Sequence, residues 1–138
     1  MKRISSSVLV WVVISALAFN FYSCGEEKNS HPDVAFMTSN STVSYISKDT
    51  GLVHGTIFNI GIDATKKGSE GLLTTCKISR SVNQGVDSTI QEINFVSDFF
   101  SQSFTYTAGD SGNVEKYTFT IGEKSGLTSS VSLTITDL

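Results

Sequence analysis

The 138-residue chain carries few side chains that can do covalent or acid–base chemistry. Two are thiols, Cys24 and Cys76, and two are imidazoles, His31 and His54. A thiol can be acylated, oxidised or bound to metal, and its surroundings decide which. Cys24 stands in "FYSCGEEK", residues 21–28, where an apolar segment gives way to acidic residues. Cys76 stands in "LLTTCKISR", residues 72–80, two positions before Ile78, which is the spacing of neighbours on one face of a strand. That spacing predicts a buried, inert thiol. Neither histidine has a cysteine or a carboxylate at metal-ligand spacing. The chain holds no H-E-x-x-H, no G-x-S-x-G and no Gly-rich phosphate loop. The expectation is therefore a protein without enzymatic activity, without a cofactor and without a metal.

Oxygen ligands are a weaker signal. Asp110 and Asn113 in "AGDSGN", residues 108–113, resemble part of a calcium loop. Calcium takes six to eight oxygens, and this loop supplies few, so its composition predicts a turn. Phe99 and Phe100 are adjacent and must face opposite sides of a strand. One of them is expected to be exposed, as are Tyr45 or Phe95.

The surroundings of Cys24 say more. Lys2 and Arg3 precede an apolar run interrupted only by Ser15, "VLVWVVISALAF", residues 8–19. A helix across a bilayer core needs roughly 20 apolar residues, so this run is too short to span. A basic start followed by such a run reads as a secretory signal peptide, residues 1–23. Two cleavage points are compatible with it: after Ala18, using Ala16 and Ala18, or between Ser23 and Cys24. The second resembles the lipobox of bacterial lipoproteins, with small Ser23 before the cysteine. Phe21 and Tyr22 stand where that family usually has an aliphatic and a small residue. The resemblance implies a diacylglycerol on Cys24 and a protein held to the membrane by it. Each buried CH₂ contributes about 0.8 kcal/mol, so one chain holds marginally and two or three hold stably. Residues 24–32 are polar and predict a short solvated tether. Within it, Glu26, Glu27 and Lys28 resemble the export signal of Bacteroidetes lipoproteins. That implies the outer membrane, with the domain facing the exterior; a periplasm-facing or secreted protein is the alternative. In the same lineage "DST", residues 87–89, resembles an O-glycosylation acceptor, with Ser88 as the modified residue.

From Cys24 onward the chain has 8 basic and 13 acidic side chains, a net charge of −5. Nucleic-acid binding needs clustered Lys and Arg, and only Lys66-Lys67 approaches that, so no nucleic-acid partner is expected. With Cys24 lipidated, Cys76 has no partner for an intrachain disulfide.

The elements that must position these residues are strands. Alternation with period two predicts half-buried strands in "TIFNIGIDA" (56–64), "LLTTCKISRSV" (72–82), "FSQSFTYT" (100–107), "YTFTI" (117–121) and "SVSLTIT" (130–136). Shorter ones are expected near "DVAFM" (33–37) and "TVSYI" (42–46). The expected core is Phe58, Ile60, Ile62, Cys76, Ile78, Phe104, Tyr106, Tyr117, Phe119, Ile121, Val131, Leu133 and Ile135, with Leu72 and Val82 less regular. Gly-rich stretches at 66–71, 83–85, 108–113 and 122–126 punctuate the strands. Ser and Thr supply 32 of residues 24–138, and threonine suits exposed strand faces. About seven or eight short strands indicate two packed sheets over residues 33–138.

"GNVEKYTFTIGEKSGLTSSVSLTIT", residues 112–136, resembles the last two strands of bacterial immunoglobulin-like domains, with Tyr117, Phe119, Glu123, Gly126 and Leu133 in place. The resemblance implies an all-β, immunoglobulin-like antiparallel sandwich. There is no cysteine pair between sheets, and Trp11, the single tryptophan, lies in the signal, so the antibody type is excluded. The function expected is a lipid-anchored, non-catalytic interaction or spacer module of the cell envelope. It would bind protein or glycan through loops or a sheet face. The alternatives are a structural subunit that assembles by strand addition and, more distantly, a glycan-binding domain associated with a secreted hydrolase.

Overall fold

The computed structural model describes residues 30–138. The signal peptide, Cys24, Glu26, Glu27 and Lys28 lie outside the described residues.

Eight strands form: β1 (Asp33–Phe36), β2 (Thr50–Leu52), β3 (Ile57–Thr65), β4 (Leu73–Val82), β5 (Ser88–Ser97), β6 (Phe99–Thr107), β7 (Val114–Glu123) and β8 (Thr128–Asp137). One sheet has the order β1-β3-β6, the other β2-β8-β7-β4-β5. No helix occurs among the described residues. In immunoglobulin lettering the first sheet is A-B-E and the second carries C, F and G as β4, β7 and β8, with β5 added beside C. The chain is an immunoglobulin-like β-sandwich. Every pairing is antiparallel except β2 with β8, which is parallel.

The alternation builds the core directly. Phe58, Ile60, Ile62 and Ala64 of β3 face Tyr117, Phe119 and Ile121 of β7 and Leu133 and Ile135 of β8, all buried. Rings lock the layers together: Phe36 meets Phe119 edge-on at 6.2 Å, and Phe58 meets Tyr117 at 6.0 Å. Such edge contacts add roughly 0.5–1.5 kcal/mol each beyond burial. Tyr106 and Val131, expected in the core, pack against it only partly buried.

Two expectations are corrected. The buried leucine of "LL" is Leu73, fully buried, with Leu72 half-buried. A bulge between Leu73 and Thr75 shifts the register of β4 and lets Leu73 and Cys76, three apart, both face inward. "TVSYI" forms no strand. Its Ile46 amide binds the Asn59 carbonyl, Tyr45 exchanges hydrogen bonds with the Ser39 hydroxyl, and β2 takes the place beside β8. The 83–85 hairpin forms as expected and turns on Asn83 and Gln84, with φ of 51° and 61°. Two successive positive φ values match the twist of the strands they join. Asn83 is held there because its side chain bonds Asn113 and the Val114 amide.

Candidate functional site

Two places on the sandwich carry chemistry that hydrophobic packing does not explain. The first is one end of its interior. β7 enters the core with Glu115, two residues before Tyr117 and therefore on the same inward face. Glu115 is 4% exposed. Its Oε2 accepts a hydrogen bond of 2.7 Å from the Tyr117 hydroxyl. Arg80, opposite Tyr117 on β4, brings Nη1 to 3.7 Å from Oε1 of Glu115. Burial and the bond to Glu115 push the Tyr117 hydroxyl above its ordinary pKa. Arg80 is held above its own ordinary value, first by the Tyr117 hydroxyl beside it. Asp137, two residues beyond Ile135 on β8, joins the same end and is 2% exposed.

Gly109, in the β6–β7 loop, lies over this pair. A side-chain carbon on Gly109 would sit 2.7 Å from Oε1 of Glu115 and 3.1 Å from Oδ2 of Asp137. The loop is pinned there by His54, whose Nδ1–H donates to the Gly109 carbonyl at 2.6 Å. Gly112 and Asp137 close it further: the Gly112 amide bonds the Asp137 carbonyl, and the Asp137 amide bonds that of Asn113. Asp110 points outward, with its side chain 91% exposed and 3.9 Å from His54. The Asn113 side-chain oxygen accepts a hydrogen bond from the Asn83 side-chain amide. These two loop residues thus serve the turn.

The second place is a side of the sandwich. β5 ends one sheet and β6 ends the other, and one residue, Asp98, separates them in the chain. Their outer edges pair with nothing among the described residues. The opposite side ends in β1 and β2, which are only 4 and 3 residues long. β5 is 10 residues long, with Glu92 as its single charge. Val96 is 71% exposed and Ile90 is 42% exposed. Phe99 projects outward from the corner while Phe100 turns in and stacks on Phe95 at 4.7 Å. Tyr45 is half-buried.

Ser88 is the first residue of β5 and is exposed, paired across the ladder with Arg80. Cys76 is fully buried, and burial pushes its thiol up to about 11. His31 donates to the Thr128 carbonyl at 2.8 Å. No three His, Cys, Asp or Glu side chains gather into a metal-binding group among the described residues. Two well-formed surface depressions hold about 130 and 200 Å³. Small-molecule sites usually hold roughly 300–1,000 Å³.

The buried carboxylates were missed by sequence reasoning because the alternation was stopped at its last apolar residue. Continued two positions outward from Tyr117 and from Ile135, it lands on Glu115 and Asp137. β5 was missed because its first five residues are exposed on both faces and only its second half alternates.

No family model matches the chain, and no characterised protein matches it in sequence. Among solved structures, a β-glucosidase from Listeria innocua in complex with glucose superposes with a TM-score of 0.47 at 7% identity. The overlap covers 78% of this chain and 16% of that one, so the chain spans about a sixth of that enzyme's length. A likeness of this size assigns no activity.

Proposed function

We propose that the chain is a lipid-anchored, non-catalytic interaction module of the cell envelope, tethered through Cys24. It captures an extended segment of a partner protein along the outer edge of β5. The anchor reading is supported by residues 1–28 as a sequence. The docking reading is carried by one observation: a 10-residue edge strand with a single charge, with exposed Val96 near its end and exposed Phe99 just beyond it. Edge strands expose unpaired N–H and C=O groups and are ordinarily blunted by short length, lysines or proline. β1 and β2 are short; β5 is long and carries neither lysine nor proline, and its ladder with β4 shifts register at two places. A partner strand added to β5 gains main-chain hydrogen bonds and meets alternate side chains. The eight strands are all paired, so the sandwich is an acceptor that needs no donor to complete it.

The test places a photo-crosslinking side chain at Gln91 on β5 or at Ser130 on β8, in the full chain in intact cells. The reading expects a discrete adduct from position 91 that is absent from position 130. Adducts only between copies of the chain would replace the partner with a self-assembly, the structural-subunit alternative. Equal labelling at both positions, or none at either, would reject edge docking. Labelling with a clickable fatty acid tests the anchor separately. Incorporation must be lost in Cys24→Ser.

A further inference from the structure

Asp137 is buried, yet both of its carboxylate oxygens lack a hydrogen-bond partner. No lysine, arginine or histidine pairs with it among the described residues; Arg80 is spent on Glu115. The interior end therefore holds two carboxylates and one guanidinium, a surplus of one negative charge. A buried charge without a partner is strongly destabilising, and buried charges in proteins are paired or coordinate metal ions. Glu115 Oε1 and Asp137 Oδ2 converge on one point beneath Gly109, which is kept free because glycine has no side chain.

We propose that Asp137 and Glu115 bind a hard divalent cation, calcium, at the end of the sandwich. The donors are all oxygen, with no thiolate or imidazole aimed at them, which selects against zinc. Calcium accepts irregular sets of carboxylates, carbonyls and waters at about 2.3–2.6 Å, whereas magnesium demands near-octahedral geometry. Two carboxylates are few, so the affinity belongs in the weak range of extracellular modules, on the order of 10⁻⁴–10⁻³ M. The bound ion ties the start of β7 to the end of β8 under the β6–β7 loop. This site is independent of the β5 edge and of the proposed docking there.

The full chain, purified in detergent and stripped with chelator, is titrated with calcium while its melting temperature is followed. At ten times the Kd, calcium is expected to raise the melting temperature by about 5 °C. Terbium, a calcium substitute, is expected to luminesce through Tyr117 and Tyr106. Asp137→Asn removes both responses. In chelator it melts higher than the unaltered chain, because an amide there can donate to Glu115. Asp110→Asn, in the exposed loop, keeps both responses. If Asp137→Asn fails to fold, Glu115→Gln takes its place with the same expected loss of terbium signal. A melting temperature unmoved by 10 mM calcium overturns the proposal. So does a calcium shift that survives in Asp137→Asn, or one lost in Asp110→Asn.

Discussion

The two ends of β7 carry the same side chain and treat it differently. Glu115 and Glu123 are each 4% exposed, and each lies against a loop glycine. A side-chain carbon on Gly109 would meet Glu115 at 2.7 Å, and one on Gly71 would meet Glu123 at 2.8 Å. At the Glu123 end the hydrogen-bond donor is local: the Ser125 hydroxyl, two residues on, reaches Oε2 at 3.1 Å, and Oε1 has no partner. At the Glu115 end Tyr117 comes from β7, Arg80 from β4, Asp137 from β8 and Gly109 from a loop. One end closes a hairpin. The other gathers residues from four parts of the chain, with charge from three of them, and only there does a second carboxylate enter. A buried acid is thus tolerated for two distinct reasons in one strand, and the number of contributing elements tells them apart.

Both ends depend on the middle of β7, so the largest effect comes from breaking that. Phe119→Ala removes a fully buried ring that packs on Phe36 and Phe104. It is expected to cost about 3–5 kcal/mol in urea unfolding and to loosen both ends alike. Arg80→Ala separates them. It leaves Glu115 and Asp137 without a cation, at an expected cost of about 2 kcal/mol. That is less than for a fully buried pair because the guanidinium is 42% exposed. The calcium response should strengthen in this variant, read as a larger melting shift.

Tyr117→Phe deletes the donor to Glu115 and should cost about 1–2 kcal/mol. It also changes the alkaline limb of the stability profile. Cys76 titrates near 9.0 when free and near 11 in the fold, and Tyr106 near 10.0 free and about 12 folded, both raised chiefly by burial. Tyr117 is raised as well. The folded state holds these protons more tightly than the unfolded state. Their stabilisation is fully present below pH 9 and is lost as pH rises through the folded values. Unfolding midpoints should fall from pH 9 to 11, and less steeply in Tyr117→Phe. The Cys76 thiol should resist alkylation at pH 8 until the chain is unfolded. Ser125→Ala is the smallest change, under about 1 kcal/mol, with the alkaline limb and the calcium response both intact. A loss there equal to that of Tyr117→Phe would erase the distinction between the ends.

Much of the fold is legible from the residues. Alternation places β3, β7 and β8 and most of their buried faces, since a strand's side-chain period is two whatever surrounds it. It places Phe99 and Phe100 on opposite sides for the same reason, and it puts Cys76 inside. The β4 bulge is not legible, because only the ladders with β5 and β7 show which of Leu72 and Leu73 turns inward. Nor is the fate of "TVSYI", where the pattern is right yet the segment joins no ladder and lays its Ile46 amide on the Asn59 carbonyl of β3.

The sequence by itself determined an all-β sandwich, its central strands, and a chain poor in catalytic groups. These follow from local periodicity and composition, which need no partner to be read. The tertiary structure alone decided that Glu115, Asp137 and Arg80 meet under Gly109, and that β5 is left as a long open edge. Both depend on which strands become neighbours. Residues 80, 109, 115 and 137 share no local pattern, and an edge is defined only by the strand that is not beside it.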